Sequence, residues 1–133
     1  MIDQGTRQLV RDRAGNRCEY CHLPQADAPY FTFHVEHIRA KQHGGGDDPA
    51  NLCLACPDCN SAKGPNLSAI DPDSDQLTPL FQPRTDSWDE HFEYSGAIIE
   101  GRTGRGRATA RLLRFNDPER VRIREELQLR GEL

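Results

Sequence analysis

The chain has 133 residues, a length typical of one domain, so we expect a single domain over residues 1–133. Only 35% of the residues are hydrophobic, 29% are charged, and no apolar stretch approaches the roughly 20 residues that cross a bilayer. The N-terminal segment also lacks the apolar run of a secretory signal. These features argue against a membrane or secreted protein and favour a cytoplasmic one.

The formal net charge of −4 by itself argues mildly against a nucleic-acid partner, but the charge is unevenly distributed. Residues 1–70 have a net charge of −1, residues 71–100 of −7, and residues 101–133 of +4. The average therefore hides an acidic middle segment and a basic C-terminal segment.

Four of the five cysteines form two C-x-x-C pairs, and the pairs are Cys18–Cys21 and Cys56–Cys59. In a reducing cytosol such pairs are more often metal ligands than disulfides, and Zn²⁺ takes four thiolates in a tetrahedron. We therefore predict one structural zinc ion. Free thiols in turns are the main alternative, and thiol redox chemistry is disfavoured because no βαβ pattern surrounds either pair. Cys53 lies in an apolar run and is expected to be a buried core thiol.

The N-terminal half is predicted to contain short elements separated by turn signals. In chain order we expect a helix over 3–14, a loop over 23–30, a strand over 31–38, a glycine-rich loop over 44–49, a short apolar strand over 52–55 and a helix over 57–63.

The C-terminal half has a weaker pattern. Residues 65–87 contain four prolines and no clear period, which predicts an extended wrapping segment. Residues 92–103 indicate a strand or hairpin, residues 104–115 a helix with a basic face, and residues 117–129 a last helix that begins at an Asp-Pro-Glu signature.

Polar residues that lie between the two cysteine pairs, or directly after the second pair, together have the chemistry of a one-metal phosphodiesterase. The Glu36 carboxylate suits Mg²⁺ or Mn²⁺, the Asn60 amide oxygen could be a further ligand, and the His37 imidazole could take a proton from water. Asn51 could hold the histidine or its loop by hydrogen bonds. Neighbouring residues of a regular strand face opposite ways, so Glu36 and His37 can share a site only if the strand ends or twists there.

This ordered set resembles the His-Asn-His (HNH) endonuclease family, whose ββα-metal motif places a His on the first strand, an Asn in the connecting loop, and a His or Asn on the helix. The matching positions are His37, Asn51 and Asn60, and the resemblance covers residues 18–64. It implies that His37 is the general base, that Glu36 and Asn60 hold a catalytic divalent ion, and that Asn51 orients the base loop. Asn60 replaces the commoner His, and Glu36 stands where Asp is frequent, which leaves Mg²⁺ and Mn²⁺ both open.

The resemblance also implies the fold. In four-cysteine members of the family the two C-x-x-C pairs bind a structural zinc, as Cys18, Cys21, Cys56 and Cys59 would here. We therefore expect an α+β fold, a small zinc-stapled ββα-metal (treble-clef-like) domain over residues 18–64. Residues 65–133 would add a wrapping segment and a C-terminal strand–helix–helix extension.

Four basic residues are candidates for DNA contacts. Lys63 and His43 could bind phosphates near the site, and Arg107 and Arg111 share a helical face that could follow a DNA backbone. The alternatives are a solvated helix end for Lys63, a solvated loop residue for His43, and a basic face paired with the acidic segment 71–100 for the two arginines.

The sequence thus predicts a metal-dependent DNA endonuclease in which His37 activates water, with structural Zn²⁺ and catalytic Mg²⁺ or Mn²⁺. The expected partner is DNA and not a membrane. The alternative is a non-catalytic zinc-binding module that binds DNA or a protein partner.

Overall fold

The structure is a computed structural model, and it describes residues 1–28 and 30–133. The chain divides into two compact units. Unit 1 comprises Met1–Leu67 and Gln82–Arg84, and unit 2 comprises Ser68–Phe81 and Thr85–Leu133. The first boundary lies close to the predicted end of the core at residue 64. That residues 1–133 fold as one domain stays a prediction.

Unit 1 contains a ββα arrangement preceded by a helix. Its elements are α1 (Gln4–Arg13), β1 (His34–His37), β2 (Leu52–Ala55) and α2 (Pro57–Lys63). Asp3 begins α1 by accepting a hydrogen bond from the Thr6 N–H at 2.7 Å. Residue 29 of the predicted loop 23–30 lies outside the described residues, and β1 begins three residues later than predicted.

The hairpin of β1 and β2 forms the centre of unit 1. The strands are antiparallel, with Glu36 opposite Cys53 and His37 opposite Leu52. All four residues of β2 are buried, as its continuous apolar run predicts. Arg13 of α1 donates to the Leu52 carbonyl at 2.7 Å, so the first helix is tied to the same strand.

Unit 2 contains two hairpins and three helices. Its elements are β3 (Ser68–Ile70), β4 (Leu77–Pro79), α3 (Trp88–His91), β5 (Phe92–Ser95), β6 (Ile98–Gly101), α4 (Gly104–Leu112) and α5 (Pro118–Leu129). The β5–β6 hairpin and the two long helices agree with the prediction. Phe92 packs against Phe81 and Phe115, with ring centroids 5.3 and 5.5 Å apart.

The prediction of an extended segment over residues 65–87 was wrong, because β3 and β4 pair there as an antiparallel hairpin. The Asp71 carboxylate accepts from the Asp73 N–H at 3.0 Å and from the Ser74 hydroxyl at 2.8 Å, and these bonds close the turn. The strands are too short to show a period. The β3–β4 hairpin therefore precedes the strand or hairpin that we expected over residues 92–103, which is the β5–β6 hairpin.

The prediction of a mixed α+β fold is confirmed, and so is the order of two strands and a helix that the ββα-metal motif requires. Within the described ranges, no helix has both the length and the apolar character needed to span a membrane.

Candidate functional site: a thiol cluster and an open cleft

Four buried thiols converge in unit 1. The Sγ atoms of Cys18, Cys21, Cys56 and Cys59 all lie within 4.8 Å of one another, and this group is called the thiol cluster below. The Sγ atoms of Cys21 and Cys56 are 3.7 Å apart. Four sulfurs bound to one zinc at ~2.3 Å lie roughly 3.8 Å apart in a tetrahedron, so the observed spacing fits that ion.

Each half of the thiol cluster is a tight turn that the local sequence forms. The Cys21 N–H donates to the Cys18 sulfur at 3.5 Å, and the Cys59 N–H donates to the Cys56 sulfur at 3.4 Å. Cys56 begins α2 and is followed by proline at the first helical position, which favours this geometry. Burial raises the pKa of the Cys18 and Cys59 thiols well above the usual value, so thiolates here require a cation.

The Cys53 thiol lies apart from the thiol cluster. It is fully buried in β2, and its sulfur lies 3.6 Å from the Tyr20 hydroxyl. Burial raises the pKa of this thiol well above its usual range. Its position agrees with the core role that the sequence predicts.

Glu36 is a buried carboxyl on β1. Its side chain is 5% exposed, and neither carboxylate oxygen has a hydrogen-bond partner among the described residues. Burial raises its pKa to about 7, and the nearby Lys63 ammonium opposes this shift. The Lys63 ammonium, 3.5 Å from Oε1, offsets only part of the cost of keeping this buried carboxylate ionised, and a metal cation bound there would offset more. Glu36 therefore fits the ligand role that the sequence suggests.

The structure corrects the surface position expected for Lys63. The side chain is 2% exposed, because it turns back from α2 beneath the end of β1. Its Nζ donates to the Ile38 carbonyl at 2.9 Å and lies 3.5 Å from Glu36 Oε1. In this position the ammonium contacts Glu36 and does not reach a phosphate in solvent.

His37 ends β1 beside an open cleft of about 530 Å³, and Glu36, Lys41 and Asn60 line the same cleft. The strand remains regular up to His37, so the two neighbours do face different ways: Glu36 contacts Lys63, and the His37 ring contacts Asp47. The cleft nevertheless includes both residues because the strand ends there. Asn60 reaches it from the half-buried side of α2.

Asp47 is the residue at this site that sequence reasoning missed. Its Oδ1 lies 2.7 Å from His37 Nε2 and 3.7 Å from Lys41 Nζ, and its Oδ2 accepts from the Met1 amine at 2.9 Å. The hydrogen bond with His37 is the main reason that the pKa of Asp47 lies well below its usual range. An acidic residue just after a run of three glycines was the available signal.

Asn51 holds the connecting loop closed. Its Nδ2 donates to the Arg39 carbonyl at 3.0 Å and to the Gly46 carbonyl at 2.8 Å, while its Oδ1 accepts from the Arg39 N–H at 2.9 Å. One amide thus joins both ends of the loop that carries Asp47. This geometry is compatible with the orienting role that we expected.

The other predicted contact residues lie outside the cleft. His43 is exposed in a single helical turn over Lys41–His43. Arg107 belongs to unit 2, where its Nε and Nη2 donate to Asp71 Oδ1 and Oδ2, both at 2.9 Å. The same Nε lies 3.1 Å from Asp73 Oδ2. Pairing with the acidic segment is the alternative that the sequence left open, and the structure contains that pair. Arg111 is exposed on the same helix.

One of the comparisons with known proteins matches the segment that contains this site. Residues 18–66 match the family model described as HNH endonuclease, and the matched segment contains the thiol cluster, β1, β2 and α2. No curated protein and no solved structure matches the chain significantly.

Proposed function

We propose that this protein, whose residues 18–66 match the HNH endonuclease family, is a metal-dependent endonuclease that hydrolyses phosphodiester bonds of DNA. The observation that carries the proposal is His37 at the edge of an open cleft, with its ring held by Asp47 and with Glu36 and Asn60 lining the same cleft. A cytoplasmic location would keep the four cysteine thiols reduced.

His37 is the proposed general base. Its side chain is 22% exposed, so water can reach the ring while the bond to Asp47 keeps it from rotating. An imidazole can accept a proton from water near neutral pH, and the resulting hydroxide attacks the scissile phosphate.

Glu36 and Asn60 are the proposed ligands of Mg²⁺ or Mn²⁺. The two carboxylate oxygens of Glu36 have no hydrogen-bond partner within the described part of the chain, which supports this assignment because hard oxygen ligands suit both ions. Such an ion, when bound, stabilises negative charge that develops on the phosphate. Asn51 acts at a distance from the reaction by keeping the loop closed.

The thiol cluster is the proposed structural zinc site. Its four ligands are protein thiols and all are buried, which is the closed arrangement of a structural zinc and leaves no position for substrate. Zinc binding would hold the turn before β1 to the start of α2 and thereby set the position of the cleft.

The DNA contacts are proposed for exposed basic groups. His43 lies on the exposed turn after β1, and Arg111 lies on the exposed face of α4. Arg107 could contribute only while it also pairs with Asp71, and Lys63 would act through Glu36 because it is buried.

A plasmid-nicking assay tests the proposal. Supercoiled DNA would be incubated with zinc-loaded protein and Mg²⁺ or Mn²⁺, and we expect His37→Ala to reduce the rate by at least about 100-fold, because a general base contributes about that much. The matched control is His91→Gln in unit 2, where the His91 ring bonds Thr103 at 2.7 Å and glutamine retains a polar group.

Two outcomes would contradict the proposal. Cleavage by His37→Ala at the wild-type rate would remove His37 from the reaction. Absence of cleavage by the folded, zinc-loaded wild type in every divalent ion would instead support the non-catalytic zinc module, and binding assays with DNA or proteins would follow.

A further inference from the structure

The loop between β1 and β2 is closed so tightly that it determines where Asp47 lies. A Cβ atom at Gly45 would stand 1.7 Å from the Arg39 carbonyl oxygen, so no side chain fits there. Asn51 bonds the Gly46 carbonyl immediately before Asp47. The carboxylate is therefore carried by a backbone segment that is held independently of its own side-chain contacts.

The contact between Asp47 and His37 has the length of a charge-assisted hydrogen bond, 2.7 Å between Oδ1 and Nε2. A carboxylate can only accept, so Nε2 must carry the hydrogen in this bond. When one ring nitrogen of a neutral imidazole donates, the other has the free lone pair. The geometry therefore selects Nδ1 as the basic atom of His37.

We propose that Asp47 is a positioning residue for the hydrolysis: it holds His37 in the Nε2–H tautomer, so that Nδ1 accepts the proton of the attacking water. This inference rests on the proposed function. In the step itself, the water O–H bond breaks as the Nδ1–H bond forms. The water oxygen then bonds to phosphorus, and the bond from phosphorus to the leaving sugar oxygen breaks with its electron pair on that oxygen, which takes a proton from solvent water. Asp47 offsets the positive charge that His37 acquires.

Asp47 also lies near two other cationic groups, so a loss of activity alone would not identify its role. Lys41 Nζ is 3.7 Å from Oδ1, and the Met1 amine is 2.9 Å from Oδ2. A residue that only anchored these groups would affect folding or DNA binding and would not depend on the presence of His37. The test must therefore measure whether Asp47 acts through the histidine.

The variants are Asp47→Ala, Asp47→Asn and a matched control, Asp48→Ala. Asp48 is the adjacent, exposed aspartate, and its side chain makes no capping bond to the turn that follows it. We expect both Asp47 variants to lower kcat for plasmid nicking by about 10- to 1,000-fold, because an amide or an empty position no longer enforces the tautomer. KM, zinc content and melting temperature should stay close to those of Asp48→Ala.

Two measurements separate positioning from a merely structural role. Asp47→Ala introduced into His37→Ala should cause no further loss of cleavage, because the aspartate would act only through the missing ring. Nitrogen-15 spectra of histidine-labelled protein should show His37 as the Nε2–H tautomer in the wild type and in Asp48→Ala. In Asp47→Ala the spectra should show a mixture of tautomers.

The failures of the two proposals are distinguishable. If His37→Ala abolishes cleavage but the Asp47 variants cleave like Asp48→Ala, or leave the tautomer unchanged, the positioning role is overturned while the proposed function stands. If Asp47→Ala lowers residual cleavage equally with and without His37, the positioning role is also overturned. A wild type that does not cleave, or a fully active His37→Ala variant, overturns both.

Discussion

The two units of this protein treat their buried polar groups differently. In unit 1 four buried thiols converge, and both carboxylate oxygens of the buried Glu36 lack hydrogen-bond partners among the described residues. In unit 2 the buried Arg124 donates to the Ala97 and Phe115 carbonyls, and the buried Asp71 binds Arg107. Unit 1 therefore has groups that a bound cation would complete, whereas these charges of unit 2 are satisfied by protein partners.

The largest loss of stability should come from a substitution in the thiol cluster. Cys56→Ser should abolish zinc binding and unfold most of unit 1, because a structural zinc contributes about 10 kcal/mol, comparable with the stability of a whole domain. Zinc content and circular dichroism would show this loss. Cys53→Ser is the matched control, since Cys53 is equally buried but outside the cluster, and it should retain one zinc per chain. Equal zinc contents in both variants would contradict the ligand assignment.

The next effect concerns the buried pair of Lys63 and Glu36. Lys63→Met should destabilise the protein by about 3 kcal/mol, because it removes an ammonium that lies 3.5 Å from a buried carboxyl. Urea denaturation measures this change. Adding Glu36→Gln to Lys63→Met should recover much of the lost stability, since the carboxylate is then absent. If the double variant is as unstable as the sum of the singles, the pair does not interact as described.

A smaller loss of stability is expected in unit 2 when the pH is lowered. The Arg107 guanidinium holds the pKa of Asp71 well below its usual value of 3.8. Asp71 therefore contributes stability that is complete above pH 3.8 and is lost as the pH falls through its lower pKa in the folded protein. Urea midpoints between pH 2 and pH 5, about the usual carboxyl range, should show this loss. The Arg107→Ala variant should already be less stable at pH 7, and the further loss of stability in acid should be smaller. The control is Arg122→Ala, which breaks an exposed ion pair and should lose stability in acid like the wild type.

The smallest effect is expected at the exposed face of α4. Arg111→Ala should weaken DNA binding and reduce the slope of log affinity against log salt by about 1, as the loss of one phosphate contact does. Fluorescence anisotropy over a salt series measures the slope. The control is again Arg122→Ala on α5, which should keep the wild-type slope. An unchanged slope in Arg111→Ala would assign its charge to the solvated surface and would leave DNA contacts to unit 1.

The elements that sequence reasoning predicted well are those with strong local signals. The Asp3 side chain caps the start of α1, β2 is a continuous apolar run, and α2 follows Cys56 with a proline at its first position. The hairpin of β3 and β4 was missed because three-residue strands are too short to show a period. Its turn depends on side-chain hydrogen bonds of Asp71 that composition does not reveal.

The candidate site likewise has residues that the sequence predicted and residues that it missed. The four cysteines that the sequence predicted as ligands do converge, because ligand type and spacing are properties of the chain itself. The roles of the ordered set stay a prediction from the same kind of signal; its residues are Glu36, His37, Asn51 and Asn60. The sequence missed Asp47, and it placed Lys63 at the surface. Whether a lysine at the end of a helix extends into solvent or turns beneath a neighbouring strand is decided by packing, which no local pattern encodes.

The sequence by itself therefore determined the chemistry that this protein can offer: four thiols that suit zinc, and a carboxylate, an imidazole and two amides near them in the chain. Only the tertiary structure decided which of these groups meet. Asp47 reaches His37 across ten residues, Lys63 reaches Glu36 from another element, and Arg107 reaches Asp71 across 36 residues. The physical reason is that hydrogen bonds and ion pairs require atoms within about 4 Å, and the folding of the intervening segments sets that distance.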